Sequence, residues 1–144
     1  MANTAREWEE VEDFPKMAEK LIQRYNDILT HVEADQVIAY MCTNKEKPKG
    51  KSKLYEMTSQ TEPESFINTK TYFVKMFQST WEELDDEGRL ALVFSCLNRI
   101  DPQNPGKLLS NDLQDQRIMV ETFGVDWFKR KLPNLLTDAV DIKR

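Results

Sequence analysis

The chain has 144 residues, 40% of them hydrophobic, 10% aromatic and 31% charged, a globular composition in a length that suits one domain (1–144) and excludes wholesale disorder. Twenty basic residues against twenty-five acidic ones give a net charge of −5, which disfavours general nucleic-acid or membrane-surface binding and leaves room only for a local basic patch. No run approaches eighteen apolar residues, and MANTAREWEEVED has no basic segment leading into an apolar one, so the expectation is a soluble protein without a signal peptide or membrane span.

Residues 1–13 are acidic and lack a clear capping pattern, and they are read as flexible, with Trp8 and Val11 able to extend an apolar face. From Phe14 to Val32 the pattern is helical. Pro15 suits a first turn, and Met17, Leu21, Ile22, Tyr25, Ile28, Leu29 and Val32 recur at helical spacing. His31, the single histidine, falls at the end of this helix, where it suits exposed carbonyls better than a ligand. Asp35 to Thr43 reads as a strand buried on both faces. Asn44 to Lys53, with five lysines, a proline and a glycine, is an exposed connection. Lys53 to Thr58 reads as an edge strand and Thr71 to Phe77 as a third strand, with a polar loop between them.

Leu84 to Ile100 is the segment around which the rest is organised. Leu90, Val93, Phe94 and Leu97 form one buried helical face, and Leu92 and Cys96 add a second. Asp85 or Asp86 stands at its start and Asp101-Pro102 closes it. A turn-rich link follows, then a capping-box pattern at Asn111 and Gln114 and a helix through Phe123 with Gly124 as its stop. Val125, Trp127 and Phe128 pack back, Pro133 breaks the chain, and residues 137–144 read as a fraying tail. The fold class is α+β: a small, mostly antiparallel three-stranded sheet packed with an N-terminal, a central and a C-terminal helix.

From Trp81 onward, WEELDDEGRLALVFSCLNRI and then DLQDQRIMVETFGVDWFKRKLPNLL resemble a family of phage-encoded metallopeptidases. The most specific stretch is Met119-Val120, Thr122-Phe123-Gly124-Val125-Asp126-Trp127, supported by Leu132-Pro133 and Leu135-Leu136. The resemblance implies a zincin-like architecture, a viral or prophage origin and expression in a bacterial host cytoplasm. It does not bring the chemistry with it. A catalytic zinc needs two imidazoles four residues apart on one helical face, with a glutamate beside the first as base. Setting the family's motif on Ala91-Leu92-Val93 puts Ser95 and Arg99 at the ligand positions and Cys96 at the base. Serine is a poor zinc ligand, a thiol does not replace the carboxylate, and arginine cannot deprotonate to coordinate. One histidine in another helix cannot restore the pair. These positions are therefore read as a degenerate motif, with no catalytic residue, no metal ligand and no cofactor.

Three functions remain open. The favoured one is a non-catalytic phage accessory protein that binds a host or phage protein. A second is a metal-dependent hydrolase with atypical ligands, in which Cys42, Cys96 and His31 would have to meet an acid such as Asp112 or Asp115. Buried-thiol packing is the simpler reading of both cysteines. A third is nucleic-acid binding through Lys45, Lys47, Lys49, Lys51 and Lys53, although aromatic interleaving is absent there apart from Tyr55. The lysines, with Trp127 if its ring is exposed, are the candidate partner-binding residues, and a solvated loop and a core tryptophan are the plainer alternatives. Neither a phosphate-binding glycine motif nor a serine–histidine pairing near Ser95 is present.

Overall fold

The computed structural model describes residues 7–44, 55–59, 72–103, 108, 117–123, 127 and 131–142, without the side chains of 117 and 120. Helix α1, Asp13–Arg24, buries Phe14, Ala18 and Leu21 along one stripe, with Asp13 in its first turn and Arg24 in its last, as the helix dipole favours. The helix expected to run to Val32 is interrupted at Tyr25, whose backbone (φ −110°, ψ 39°) leaves helical geometry before a short α2, Asn26–Leu29. Both residues at the break are bonded to the C-terminal segment. The Tyr25 hydroxyl donates to the Leu135 carbonyl at 2.7 Å, and Arg24 donates to the carbonyls of Leu135 and Asp138. A 3₁₀ turn at Ala34–Gln36 then leads into the sheet.

Among the described residues the sheet has four strands where three were expected: β1 Trp8–Glu10, β2 Val37–Cys42, β3 Glu56–Ser59 and β4 Tyr72–Phe77, in the order β1-β2-β4-β3. Its centre is the parallel pair β2–β4, and each flanking strand runs antiparallel to its neighbour. The mostly antiparallel sheet expected is therefore mixed, and β2 and β3 are not neighbours, because β4 lies between them. β3 holds an edge, as expected. The described part of the acidic lead segment is paired: β1 joins β2, Thr43 donates to the Glu7 carbonyl at 3.0 Å, and Val11 donates to that of Ala39 at 2.9 Å. Three residues with two carboxylates carry no strand pattern of their own, so the pairing with β2 makes the strand.

Burial in β4 alternates strictly, with Tyr72, Val74 and Met76 inward and Lys75 outward. β2 is buried at Val37 and Ala39 but only half-buried at Ile38 and Tyr40, so the expected burial of both its faces is not met. A short helix α3, Gln78–Glu83, follows β4 directly, and its buried Trp81 lies 5.0 Å beneath the Arg89 guanidinium. Helix α4, Asp86–Asn98, is the central element. Asp85 caps it, accepting from the Gly88 N–H at 2.7 Å, and Asp86 and Glu87 occupy its first turn. Every residue from Leu90 to Leu97 is buried, which fits a helix covered on all sides.

Helix α5, Arg117–Phe123, contributes the fully buried Met119. Its expected start at Asn111 and its stop at Gly124 lie outside the described residues. Trp127, Leu132 and Leu135 join the core, and Val140 and Ile142 pack partly against it. Asn134 and Asp138 bond one another across the turn that leads into these residues.

Candidate functional site

The three positions where a zinc peptidase would carry its motif lie on the last turn and a half of α4. Ser95 is 3% exposed and Cys96 is fully buried, while Arg99 closes the helix with a near-helical backbone (φ −79°, ψ −15°) and an N–H bonded to the Cys96 and Leu97 carbonyls. The continuous apolar sequence of α4 buries its faces from Leu90 to Leu97, so Ser95 and Cys96 meet protein, while Asn98 and Arg99 beyond them are half-buried. Tyr55, one residue before β3, reaches them from the sheet edge: its hydroxyl is 2.9 Å from Ser95 Oγ. Asn98 donates back to the Phe94 carbonyl at 2.8 Å, a bond inside the helix.

The electrostatics keep this cluster protonated. Burial pushes the Tyr55 phenol well above its ordinary range, and the Cys96 thiol adds to the rise against the opposing pull of Ser95 and Arg99. Burial likewise pushes the Cys96 thiol up, against the pull of Tyr55 and Arg99. A protonated thiol is neither a nucleophile nor a metal ligand. The Arg99 guanidinium supplies a fixed positive charge that acts on both groups.

The remaining candidates lie elsewhere. His31 Nε2 is 3.1 Å from the Ile100 carbonyl, so this nitrogen carries the proton and donates. The expected carbonyl partner is there, but it belongs to the exit of α4 and not to the histidine's own helix. Cys42 is buried in β2 with its thiol 3.5 Å from Asn44 Oδ1. Both cysteines are free. Among the described residues no three His, Cys, Asp or Glu side chains come together as a metal site; Asp112 and Asp115 lie outside those residues. So do Lys45, Lys47, Lys49, Lys51 and Lys53. Trp127 is 2% exposed and belongs to the core, which is the plainer of its two readings and offers no surface ring to a partner. Sequence reasoning missed Tyr55 as a member of the cluster, since nothing in a separation of 40 residues from Ser95 announces the contact.

A family model described as "Putative phage metallopeptidase" matches residues 6–139. The chain belongs to this phage metallopeptidase family. No curated protein and no solved structure matches it. The family name implies a metal, and the residues at the motif positions do not fit one: a hydroxyl bonded to a phenol, a thiol held neutral by burial, and a guanidinium. Tyr55 and Ser95 make a polar contact between the sheet edge and the central helix.

That contact carries two expected results. Tyr55→Phe keeps the ring and removes the hydrogen bond, and it should lower the unfolding free energy by about 1 kcal/mol in urea titrations; no change would mean that the bond adds nothing beyond ring packing. Alkaline pH should destabilise the protein. The unfolded chain releases its thiol and phenol protons near about pH 8.5 and 10, whereas the folded chain holds those of Cys96 and Tyr55 to higher pH. Above the unfolded values the folded state binds more protons, so stability is intact at neutral pH and falls as pH rises through this range. Cys96→Ala should flatten the earlier part of the fall, and a stability that rises with pH would contradict the assignment.

Proposed function

We propose that this member of the phage metallopeptidase family is a non-catalytic accessory protein of degenerate zincin-like fold. It acts in the bacterial host cytoplasm by binding a host or phage protein, and a host defence or replication enzyme is the kind of target that suits it. The observation that carries the proposal is the Tyr55–Ser95 contact beside the neutral Cys96 and the cationic Arg99, where catalysis would require two imidazoles and a carboxylate. Family membership supports the phage setting, and the absence among the described helices of one long and apolar enough to cross a membrane agrees with action in solution.

The test has two arms. Protein purified without added metal should contain far less than one zinc per chain by elemental analysis, and chelator should leave its melting temperature unchanged. Structural zinc contributes on the order of 10 kcal/mol to small metal-dependent folds, so a bound ion would be obvious in both measurements. One equivalent of zinc, with chelator-sensitive cleavage of a protein substrate, would replace this reading with the hydrolase. The second arm is affinity capture from host lysate with reciprocal confirmation of each recovered protein; failure to recover any reproducible partner would remove the accessory role.

A further inference from the structure

A groove of about 550 Å³ opens between α1 and the start of β2. Its origin lies in the shortness of β1. That strand ends at Glu10, opposite Tyr40, and the chain turns through Val11 into α1. Val37 and Ile38, the first residues of β2, therefore have no strand beside them on this side among the described residues. Helix α1 borders the gap without filling it, because its buried stripe is Phe14, Ala18 and Leu21 and Ile22 falls beside that stripe. Half-buried Ile22 and buried Val32 and Val37 give the groove an apolar floor. Its rim is charged: Glu10, Lys16, Glu19 and Asp35 line it and are exposed.

The backbone adds an acceptor. Val11 donates to the Ala39 carbonyl and Thr43 to that of Glu7, so the odd-numbered residues of β2 turn their backbone groups toward β1. Val37 is next in this alternation, with extended backbone (φ −116°, ψ 128°). Its N–H is taken by the Ala34 carbonyl, and its own carbonyl is directed to the side where β1 has ended. Carboxylates and carbonyls accept hydrogen bonds and donate none. The rim sets three carboxylates against one ammonium. These carboxylates do not converge as a metal site, so their complement is a cation with several spread donors and an apolar stem, and not a single metal ion.

We propose that this groove holds the protein partner of the accessory role, and that the partner enters it with an extended, arginine-bearing segment. The inference rests on the accessory reading given above and adds the place and the chemistry of the contact. Arginine offers five donors and no acceptor, and it stays charged at physiological pH. Its aliphatic stem covers apolar surface while its guanidinium remains at the wet rim. The carboxylates supply speed of approach and selectivity, and the floor of Ile22, Val32 and Val37 supplies apolar area to cover. The Val37 carbonyl accepts from a peptide N–H, as pairing at a strand edge requires. A polyamine would match the charge but leave the strand edge unused.

Fluorescence anisotropy of a labelled hexapeptide alternating arginine and valine tests this on the full chain. The peptide should bind, and binding should weaken as salt is raised. Two exposed positions carry opposite expectations. Glu19→Lys should weaken binding and Lys16→Glu should strengthen it, each by roughly fivefold, the upper scale of exposed charge pairs; loss of folding cannot produce the second result. No binding by the wild-type chain, or equal binding by all three proteins, overturns the proposal. So does equal binding of a hexapeptide alternating glutamate and valine, or displacement of the arginine peptide by spermidine at comparable concentration, which would make the groove a polyamine site. Capture from host lysate separates this proposal from the accessory role. A reproducible partner recovered equally by wild type, Glu19→Lys and Lys16→Glu leaves the role standing and overturns the groove, whereas recovery of no partner removes the role and with it the proposal.

Discussion

Phe94→Ala is expected to cost about 3–5 kcal/mol of folding free energy, the range for deleting a fully buried aromatic ring. Phe94 is 0% exposed on the central helix, and its ring centroid lies 5.3 Å from that of Tyr25 in a tilted pair. Tyr25 is in turn bonded to the carbonyl of Leu135. The lost ring therefore loosens α4 from α1 and removes the packing behind the bond that docks the C-terminal segment. Total stabilities of domains this size run to about 5–15 kcal/mol, so the variant should lose a large fraction of its margin. Urea unfolding followed by circular dichroism would show a lower midpoint with an unchanged slope. A cost below about 1 kcal/mol would mean that the site collapses around the vacancy and that α4 is not the organising element.

The second large effect concerns the motif. Writing the peptidase residues back, as Ser95→His with Cys96→Glu and Arg99→His, should destabilise the chain by several kcal/mol without creating a tight zinc site. Cys96 is fully buried and Ser95 nearly so. Larger side chains there incur overpacking of about 1–3 kcal/mol per position, and a carboxylate at 96 is buried with its charge. The change also removes the guanidinium that acts on Tyr55 and Cys96. Among the described residues no three His, Cys, Asp or Glu side chains already come together to receive the two imidazoles. Thermal denaturation with and without zinc, alongside calorimetric titration, measures both halves. A variant that binds one zinc and regains its stability on doing so would show that the scaffold still holds a working geometry, and the closed-cluster account would fail.

The central helix was legible in the sequence because its signals agree. Asp85 caps, Asp86 and Glu87 suit the first turn, and Leu90 to Leu97 bury continuously, so the expected span of 84–100 differs from the observed Asp86–Asn98 only at its ends. The family resemblance was legible as well, since it rests on residue types at fixed spacing and needs no tertiary knowledge. β1 was not legible: Trp8-Glu9-Glu10 becomes a strand only through its bonds to β2. The parallel β2–β4 pair was hidden because strand order is decided by which edges meet, and the sequence between Cys42 and Tyr72 reads as two polar connections around an edge strand. Tyr55 belongs to the same class of miss. Its role is set by where the edge strand begins relative to α4, a distance no local pattern encodes.

The placement of β4 in the middle of the sheet has a consequence for how the chain assembles on the ribosome. β1, α1 and β2 emerge first, then β3, and neither β2 nor β3 has its neighbour until residues 72–77 appear. Until then Val37–Cys42 presents an open apolar edge on the side β4 will fill, the kind of edge that recruits other chains. Closing the sheet joins segments about 35 residues apart in strict parallel register, a non-local step that slows folding relative to helix formation. The interval between synthesis of Cys42 and docking of Phe77 is thus the period of greatest aggregation risk for this molecule, and α4, following within ten residues of β4, is the element that ends it by covering the inner face.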